Sequence, residues 1–222
     1  RSSFIYNGKD QQPEITVRGL TEGKDYLVIF KETSWSDVGT YTVDIVGRSI
    51  WKETITKTFT ITKAPSVVTL VPEPLSLTYN GDQQTLIAAG DATGGTLLYS
   101  LDNSSYNTTL PAATAAGSYT VYYMVQGDSN HKDAEPETVT VVIAKKDIVI
   151  SGIQAQDKVF DRSAEATLVY DAVVFDGIVE GDALTVTAKG TFADANAGKD
   201  KQVAVSELKL AGTSIANYRL AP

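Results

Sequence analysis

Polar and apolar residues alternate along most of this chain with a period of two. Residues 40–45 read T-Y-T-V-D-I and residues 58–62 read T-F-T-I-T, and similar runs occur at 119–125, 139–143 and 184–186. Successive side chains of a strand point to opposite faces, so these runs predict strands with one buried and one solvated face. No amphipathic helical period of useful length is present. The pattern predicts an all-β protein.

Threonine and valine dominate these runs, and both suit a half-buried pleated surface better than a helix. Turn signals separate the runs, and short antiparallel strands must stack as two sheets to bury their apolar faces. The sequence therefore predicts immunoglobulin-like antiparallel β-sandwich modules.

Two phrases occur twice. Y-N-G followed by a pair of glutamines appears at residues 6–12 and again at 79–84, and D-V-G-T-Y-T-V at 37–43 matches A-A-G-S-Y-T-V at 115–121. A weaker third copy has V-F-D-R at 159–162 and A-G-K at 197–199. Self-similarity at a fixed period is the signature of a repeat architecture.

Breaks between the copies fall at Lys63-Ala64-Pro65 and at Lys145-Lys146. They predict three tandem modules at 1–63, 64–145 and 146–222, called below the first, second and third repeat. The pattern further predicts that the first repeat lacks its N-terminal strand and that the third is truncated at its C-terminus. Because the linkers are short, we expect an elongated array on the order of 100 Å long, with small contacts between modules.

The repeated phrases predict specific local structure. Asn-Gly favours a tight turn, so we expect turns at Asn7-Gly8 and Asn80-Gly81 with solvent-facing glutamines beyond them. A ligand contact through the glutamines is the alternative. The Gly-x-Tyr motif resembles the tyrosine corner of immunoglobulin-type sandwiches. It predicts that Tyr41 and Tyr119 are largely buried, with hydroxyls bonded to nearby main chain.

These motifs carry a family resemblance. The first two repeats resemble MBG-type and related immunoglobulin-like repeats of large bacterial extracellular proteins, through Y-N-G…Q-Q…G-T-Y-T-V and its second copy. The third resembles the YDG-type repeat, through V-F-D at 159–161, G-I-V-E-G-D at 177–182, F-A-D-A-N-A-G-K at 192–199 and N-Y at 217–218. The resemblance implies tandem stalk or adhesin modules at a bacterial surface.

Charge and composition exclude several classes of function. The net charge is −8 and no segment is a basic patch, which disfavours nucleic-acid binding and attachment to anionic membranes. No apolar run is long enough for a transmembrane helix, so we expect no membrane insertion in this segment. Cysteine is absent, which removes disulfides, thiolate zinc sites and cysteine nucleophiles.

No catalytic constellation is evident. His131 is the single histidine and lies in a polar run, so we expect a solvent-facing loop residue. Gly-x-Ser-x-Gly, phosphate-loop and dinucleotide motifs are missing. We therefore expect no enzyme, no cofactor and no resident metal. The acidic stretch containing Asp171, Asp176, Glu180 and Asp182 leaves two interpretations open. It could bind calcium, or it could simply be a solvated acidic surface.

Trp35 and Trp51 are the candidate ligand-binding residues, because both are expected near module ends, where sugars stack on aromatic rings. The competing interpretation is that each plugs the end of a sandwich or packs against Tyr6.

Two functions follow as hypotheses. The first is a non-enzymatic structural, adhesion-related stalk of a bacterial cell-surface or secreted protein. The second is direct binding of a host or environmental glycan or protein through loops or exposed aromatics. Both imply an extracellular location and a surface glycan or protein partner of unknown identity, and we expect a monomer.

Overall fold

The computed structural model describes residues 2–221 and is all-β, as the alternation predicts. In chain order the strands of the first two repeats are β1 (Ser3–Ile5), β2 (Tyr26–Phe30), β3 (Gly39–Gly47), β4 (Thr54–Thr62), β5 (Ala64–Pro65), β6 (Val67–Leu70), β7 (Leu77–Thr78), β8 (Gln84–Thr85), β9 (Asp91–Thr93), β10 (Gly95–Ser100), β11 (Ala112–Ala113), β12 (Gly117–Gly127), β13 (His131–Lys132) and β14 (Glu137–Ala144).

The third repeat contributes β15 (Lys146–Ser151), β16 (Gln154–Ala155), β17 (Glu165–Ala166), β18 (Leu168–Val169), β19 (Val174–Asp176), β20 (Thr185–Phe192), β21 (Val203–Ala211) and β22 (Tyr218–Leu220). A 3-10 turn at Ile215–Asn217 precedes β22. In the described range, no helix has the length and apolar character that a membrane span requires.

The first two repeats build their main sheets in the same order. The first has the order β1-β4-β3-β2, and the second has β7-β14-β12-β10. In both, the leading strand runs parallel to the last one: Phe4 lies opposite Ile61, and Leu77 opposite Ile143. The repeated topology is what the repeated phrases of the sequence predict.

The third repeat has sheets of order β17-β20-β21 and β19-β15-β22, with a two-stranded pair β16-β18. β20 and β21 form a long antiparallel hairpin, interrupted by an irregularity between Thr187 and Lys189. β15 runs parallel to β22, with Lys146 opposite Tyr218.

The chain divides into two compact units. The first comprises the described residues up to Glu73, with Ala88–Leu110 and Val121–Val139; the second comprises Pro74–Ile87, Pro111–Thr120 and the chain from Thr140 onwards. The three-module division stays a prediction. Each unit contains residues of two consecutive repeats. The predicted linker at Lys63-Ala64-Pro65 lies in the first unit, and the one at Lys145-Lys146 lies in the second.

Apolar residues form the cores, and the predicted ladders supply ten of them: Val43, Phe59, Ile61, Val121, Tyr123, Val125, Val141, Ile143, Leu184 and Val186. In the first unit the buried side chains are Tyr26, Val43, Phe59, Ile61, Tyr99, Val121, Tyr123 and Val125. In the second they are Tyr79, Leu86, Ile87, Val141, Ile143, Ile148, Leu184, Val186 and Tyr218. The period-two pattern thus identified most inward positions correctly.

Candidate functional site

The Y-N-G phrase forms an Asx turn, in which the Asn side chain accepts an N–H from two residues further on. Asn7 and Asn80 each do so at 2.9 Å, and Asp161 does the same at 2.8 Å in the third repeat. The residue after the Asx has positive φ in all three copies, at 73° for Gly8, 88° for Gly81 and 66° for Arg162. The turn geometry is therefore shared by all three repeats, although Arg162 replaces glycine.

A glutamine braces the turn in the first two repeats. The Gln11 side-chain amide donates to the Ile5 carbonyl at 3.0 Å, and the Gln84 amide donates to the Thr78 carbonyl at 3.1 Å. Gln11 and Gln84 thus each close their own loop, while the other glutamine of each pair, Gln12 and Gln83, is exposed as expected. This intramolecular bond accounts for the repeated glutamine.

The tyrosine corners form as predicted at the level of hydrogen bonding. The Tyr41 hydroxyl donates to the Asp37 carbonyl at 2.7 Å, and the Tyr119 hydroxyl donates to the Ala115 carbonyl at 2.7 Å. Both side chains are half-buried rather than largely buried. Each bond fixes the loop that leads into the corner strand.

The first joint links the first and second repeats within the first unit. The Val38 N–H donates to Asn130 Oδ1 at 2.9 Å, and Asn130 Nδ2 donates to Asp37 Oδ1 at 2.9 Å. The His131 ring meets the Tyr6 ring edge to face, with centroids 5.1 Å apart and an interplanar angle of 80°. Asn130 of the second repeat thus bonds the tyrosine-corner loop of the first repeat, and His131 packs on the tyrosine that opens its Asx turn.

His131 belongs to this joint and is not a free loop residue, so that expectation is wrong. Its Nδ1 lies 2.7 Å from Asp128 Oδ1, and its side chain is only 20% exposed. This hydrogen bond holds the pKa of Asp128 below its usual value. Gly94 lies so close that a Cβ there would come within 2.6 Å of the imidazole.

The second joint links the second and third repeats within the second unit, and it repeats the first. The Ala116 N–H donates to Asn217 Oδ1 at 2.9 Å. The Tyr79 and Tyr218 rings meet edge to face, with centroids 5.5 Å apart at 81°. Val38 and Ala116 both precede the corner glycine, and Tyr6 and Tyr79 both open the Asx turn. Asn217-Tyr218 therefore repeats the role of Asn130-His131.

Asp182 adds a part-buried polar cluster to the second joint. Its carboxylate accepts hydrogen bonds from the hydroxyls of Tyr79 at 2.8 Å, Ser214 at 2.7 Å and Tyr218. These bonds, that from Tyr218 foremost, lower the pKa of Asp182. Burial, followed by the bond to Asp182, raises the pKa of Tyr218 to about 12. The bond to Asp182 also raises the pKa of Tyr79.

Trp51 in the first repeat corresponds in position to His131 in the second repeat. A Cβ on Gly47 would lie 2.4 Å from the Trp51 carbonyl oxygen, as one on Gly127 would lie 2.4 Å from the His131 carbonyl oxygen. Ile50 then stands where Asn130 does. Ile50 is 85% exposed and Trp51 is 50% exposed.

Trp35 has a different setting. It is half-buried, and its ring meets Phe30 edge to face at 5.2 Å. Its backbone N–H donates to Asp10 at 2.8 Å, which ties it to the first Asx turn. Its indole nitrogen is buried without a hydrogen-bond partner. No described ring contact brings the two tryptophans together.

Within residues 2–221, no group of three or more His, Asp or Glu side chains is placed to hold a metal ion. Of the acidic stretch considered for calcium, Asp182 has both carboxylate oxygens bonded to hydroxyls. The polar contacts of the joints can restrict how consecutive repeats are oriented relative to each other.

Comparison with known families bears on the third repeat. Residues 144–222 match the YDG domain. This confirms the resemblance drawn from the third repeat, and it places Asp182, Asn217 and Tyr218 within the YDG domain. The resemblance of the first two repeats to MBG-type modules stays a prediction. No curated protein matches the chain.

Sequence reasoning named Asn217-Tyr218 as part of the YDG resemblance and His131 as a loop residue, but it missed their role in the joints. Asn130-His131 and Asn217-Tyr218 are both Asn-aromatic dipeptides that follow the corner strand of their repeat. That shared dipeptide was the available signal. It was hidden because the loop before it differs in length between the second repeat and the YDG domain.

Proposed function

We propose that this chain is a non-enzymatic spacer segment of an adhesion-related bacterial cell-surface or secreted protein, in which tandem β-repeats hold another part of the protein at a distance. The finer architecture belongs to this proposal: immunoglobulin-like sandwich modules that follow one another in an extended array. The chain itself acts as a monomer.

The observation that carries the proposal is the repetition of the joint. A spacer transmits position only if its linkers do not bend freely, and short linkers alone restrict but do not fix an angle. Both joints contain the same two contacts. One is a hydrogen bond from a backbone N–H to an Asn side-chain oxygen, and the other is an edge-to-face pair of aromatic rings.

The chemistry of the joints suits a permanent contact. In the second joint Tyr79 is 6% and Tyr218 is 2% exposed, while both hydroxyls bond one carboxylate. Hydrogen bonds to a charged acceptor are stronger than neutral ones, and a buried hydroxyl that loses its partner is costly. Opening the joint would therefore carry a penalty that a free hinge does not have.

One observation favours the second function, direct binding of a glycan or protein. Ile50 and Trp51 are adjacent, apolar and exposed by 85% and 50%. Aromatic side chains with exposed faces provide binding surface for sugar rings and for protein partners. Trp51 is the residue on which this alternative depends, since Trp35 already packs on Phe30.

A binding screen separates the two functions. We expect the chain to bind no glycan on an array and no extracellular matrix protein in surface plasmon resonance. Reproducible binding that is lost in Trp51→Ala but kept in Trp35→Phe would replace the spacer by the binder. Antibody labelling of intact cells that produce the parent protein tests the surface location, and labelling only after lysis would contradict it.

A further inference from the structure

The dipeptide Asn-Gly occurs twice in the chain, at Asn7-Gly8 and at Asn80-Gly81, each time inside an Asx turn. Asparagine before glycine readily loses its side-chain amide, because glycine has no Cβ to hinder attack by its own backbone nitrogen. The third repeat forms the same turn with Asp161-Arg162, which has neither the amide nor the glycine. The first two turns therefore carry a chemical reactivity that the third lacks.

The reaction of such a dipeptide is an intramolecular substitution followed by hydrolysis. The glycine nitrogen forms a bond to Cγ of the asparagine, the proton of its N–H passes through solvent to the side-chain nitrogen, and that nitrogen leaves as ammonia. The cyclic succinimide that remains is opened by water at either carbonyl carbon, which gives aspartate or isoaspartate. Nothing is oxidised or reduced, and water is the second reactant.

The Asx turn favours the first step at both sites. In each turn the asparagine Oδ1 accepts a backbone N–H at 2.9 Å, and this oxygen gains negative charge when Cγ is attacked. A donor aimed at a developing oxyanion lowers the barrier. Neither glycine N–H donates a hydrogen bond to any residue from 2 to 221, so the attacking nitrogen is not held elsewhere. Both asparagines are exposed, so water can enter and ammonia can leave.

The two turns differ in what packs on the glycine. A Cβ on Gly8 would meet nothing closer than the Tyr6 hydroxyl at 3.8 Å. A Cβ on Gly81 would lie 2.6 Å from a methyl of Val179, which belongs to the YDG domain. Ring closure draws the glycine nitrogen towards Cγ, so the glycine must shift. Close-packed neighbours yield little to such shifts, and Val179 therefore resists ring closure at Gly81.

We propose that Asn7 is a site of spontaneous deamidation in the folded chain, and that packing by Val179 spares Asn80. The reacting group is the asparagine side chain, water is consumed and ammonia is released. The attacking nitrogen must lose its proton, so the rate rises with pH. The inference does not depend on the spacer function.

The two products have different consequences for the turn. Aspartate fits it, because Asp161 Oδ1 accepts the Ser163 N–H at 2.8 Å in the third repeat. Isoaspartate lengthens the main chain by one methylene and displaces the carboxylate, so the Asx hydrogen bond is lost. At residue 7 this removes support from Tyr6, whose ring packs on His131 at the first joint.

The test is to incubate the full chain in mildly alkaline buffer for some weeks and to follow its proteolytic peptides by mass spectrometry. Replacement of the side-chain NH2 by OH raises the peptide mass, and isoaspartate is detected by enzymatic methylation with labelled S-adenosylmethionine. A sample taken at the start corrects for reaction during digestion. We expect Asn7 to react about tenfold faster than Asn80, a difference of about 1.4 kcal/mol in the barrier. In concentrated urea the turns are unfolded, and the two rates should become similar.

Val179→Ala tests the protection of Asn80. It removes the methyl that lies 2.6 Å from the Cβ position of Gly81 and leaves its own Cβ at 3.8 Å, the distance found at Gly8. The rate at Asn80 should rise about tenfold, to that at Asn7. Val174→Ala is the matched control, since Val174 is a 57% exposed valine of the same domain, and it should change neither rate. Circular dichroism checks that both variants fold.

Three results would overturn the inference: reaction of Asn7 in urea but not in the folded chain, equal rates at Asn7 and Asn80 in the folded chain, or an unchanged rate at Asn80 in folded Val179→Ala. The first two need no variant, so the test stands even if Val179→Ala does not fold. None of these results alters the outcome of the glycan and matrix-protein screen, and the spacer proposal is tested separately.

Discussion

Asp182 gives the sharpest test of the second joint, because it belongs to the YDG domain while one of its donors, Tyr79, belongs to the second repeat. Asp182→Ala removes the acceptor from two tyrosine hydroxyls whose side chains are 6% and 2% exposed. Leaving a buried hydroxyl unsatisfied costs about 1–3 kcal/mol. We therefore expect the free energy of unfolding to fall by about 3 kcal/mol.

A double-mutant cycle isolates the contact between the repeats. Tyr79→Phe and Asp182→Asn are made singly and together, and each is followed by urea denaturation of the full chain. The two side chains are in direct contact, so we expect a coupling energy of about 1–2 kcal/mol. Asp171→Asn is the control, since Asp171 is an exposed carboxylate of the same domain, and it should change stability by less than about 0.5 kcal/mol. A coupling energy near zero would refute the claim that this contact holds the joint.

Three further predictions concern the turns, the corners and pH. Tyr41→Phe and Tyr119→Phe should each cost about 1 kcal/mol in urea denaturation, the net value of one hydrogen bond, and an unchanged midpoint for both would contradict the corner. Both Gly8 and Gly81 have positive φ, so alanine should cost about 1–2 kcal/mol at either. Gly81→Ala should lower the melting temperature further than Gly8→Ala, because its Cβ would lie 2.6 Å from a neighbouring valine methyl, whereas that of Gly8 meets nothing closer than 3.8 Å. The folded-state pKa of Asp182 is lowered, so the ionised carboxylate stabilises the fold above the unfolded pKa of about 4. That stability is lost as pH falls through the folded-state pKa. Asp182→Asn should therefore flatten the acid side of a plot of unfolding free energy against pH.

The strands were predictable because burial imposes the period of two directly on the sequence. Phe59, Ile61, Val141 and Ile143 are all at most 2% exposed, and each was assigned to an inward ladder. The two tyrosine corners were also predictable, since their hydrogen bonds join residues only four positions apart.

The joints were not predictable, because their contacts join residues about a hundred positions apart. Val38 meets Asn130 across 92 positions, and Tyr79 meets Asp182 across 103. No local pattern reports such a pairing. His131 shows the consequence: a lone histidine in a polar run is ordinarily solvated, but tertiary packing places this one against Tyr6.

Small-angle X-ray scattering of the full chain tests the central claim, that the repeats form a spacer. Three modules of about 30–40 Å in line give a rod of about 100 Å, whose radius of gyration is about 29 Å. A compact domain of 222 residues has a radius of gyration of roughly 17 Å. The spacer predicts a value close to the first figure that does not change when the protein is diluted. A value close to the second figure would contradict the extended array, and with it the proposed function.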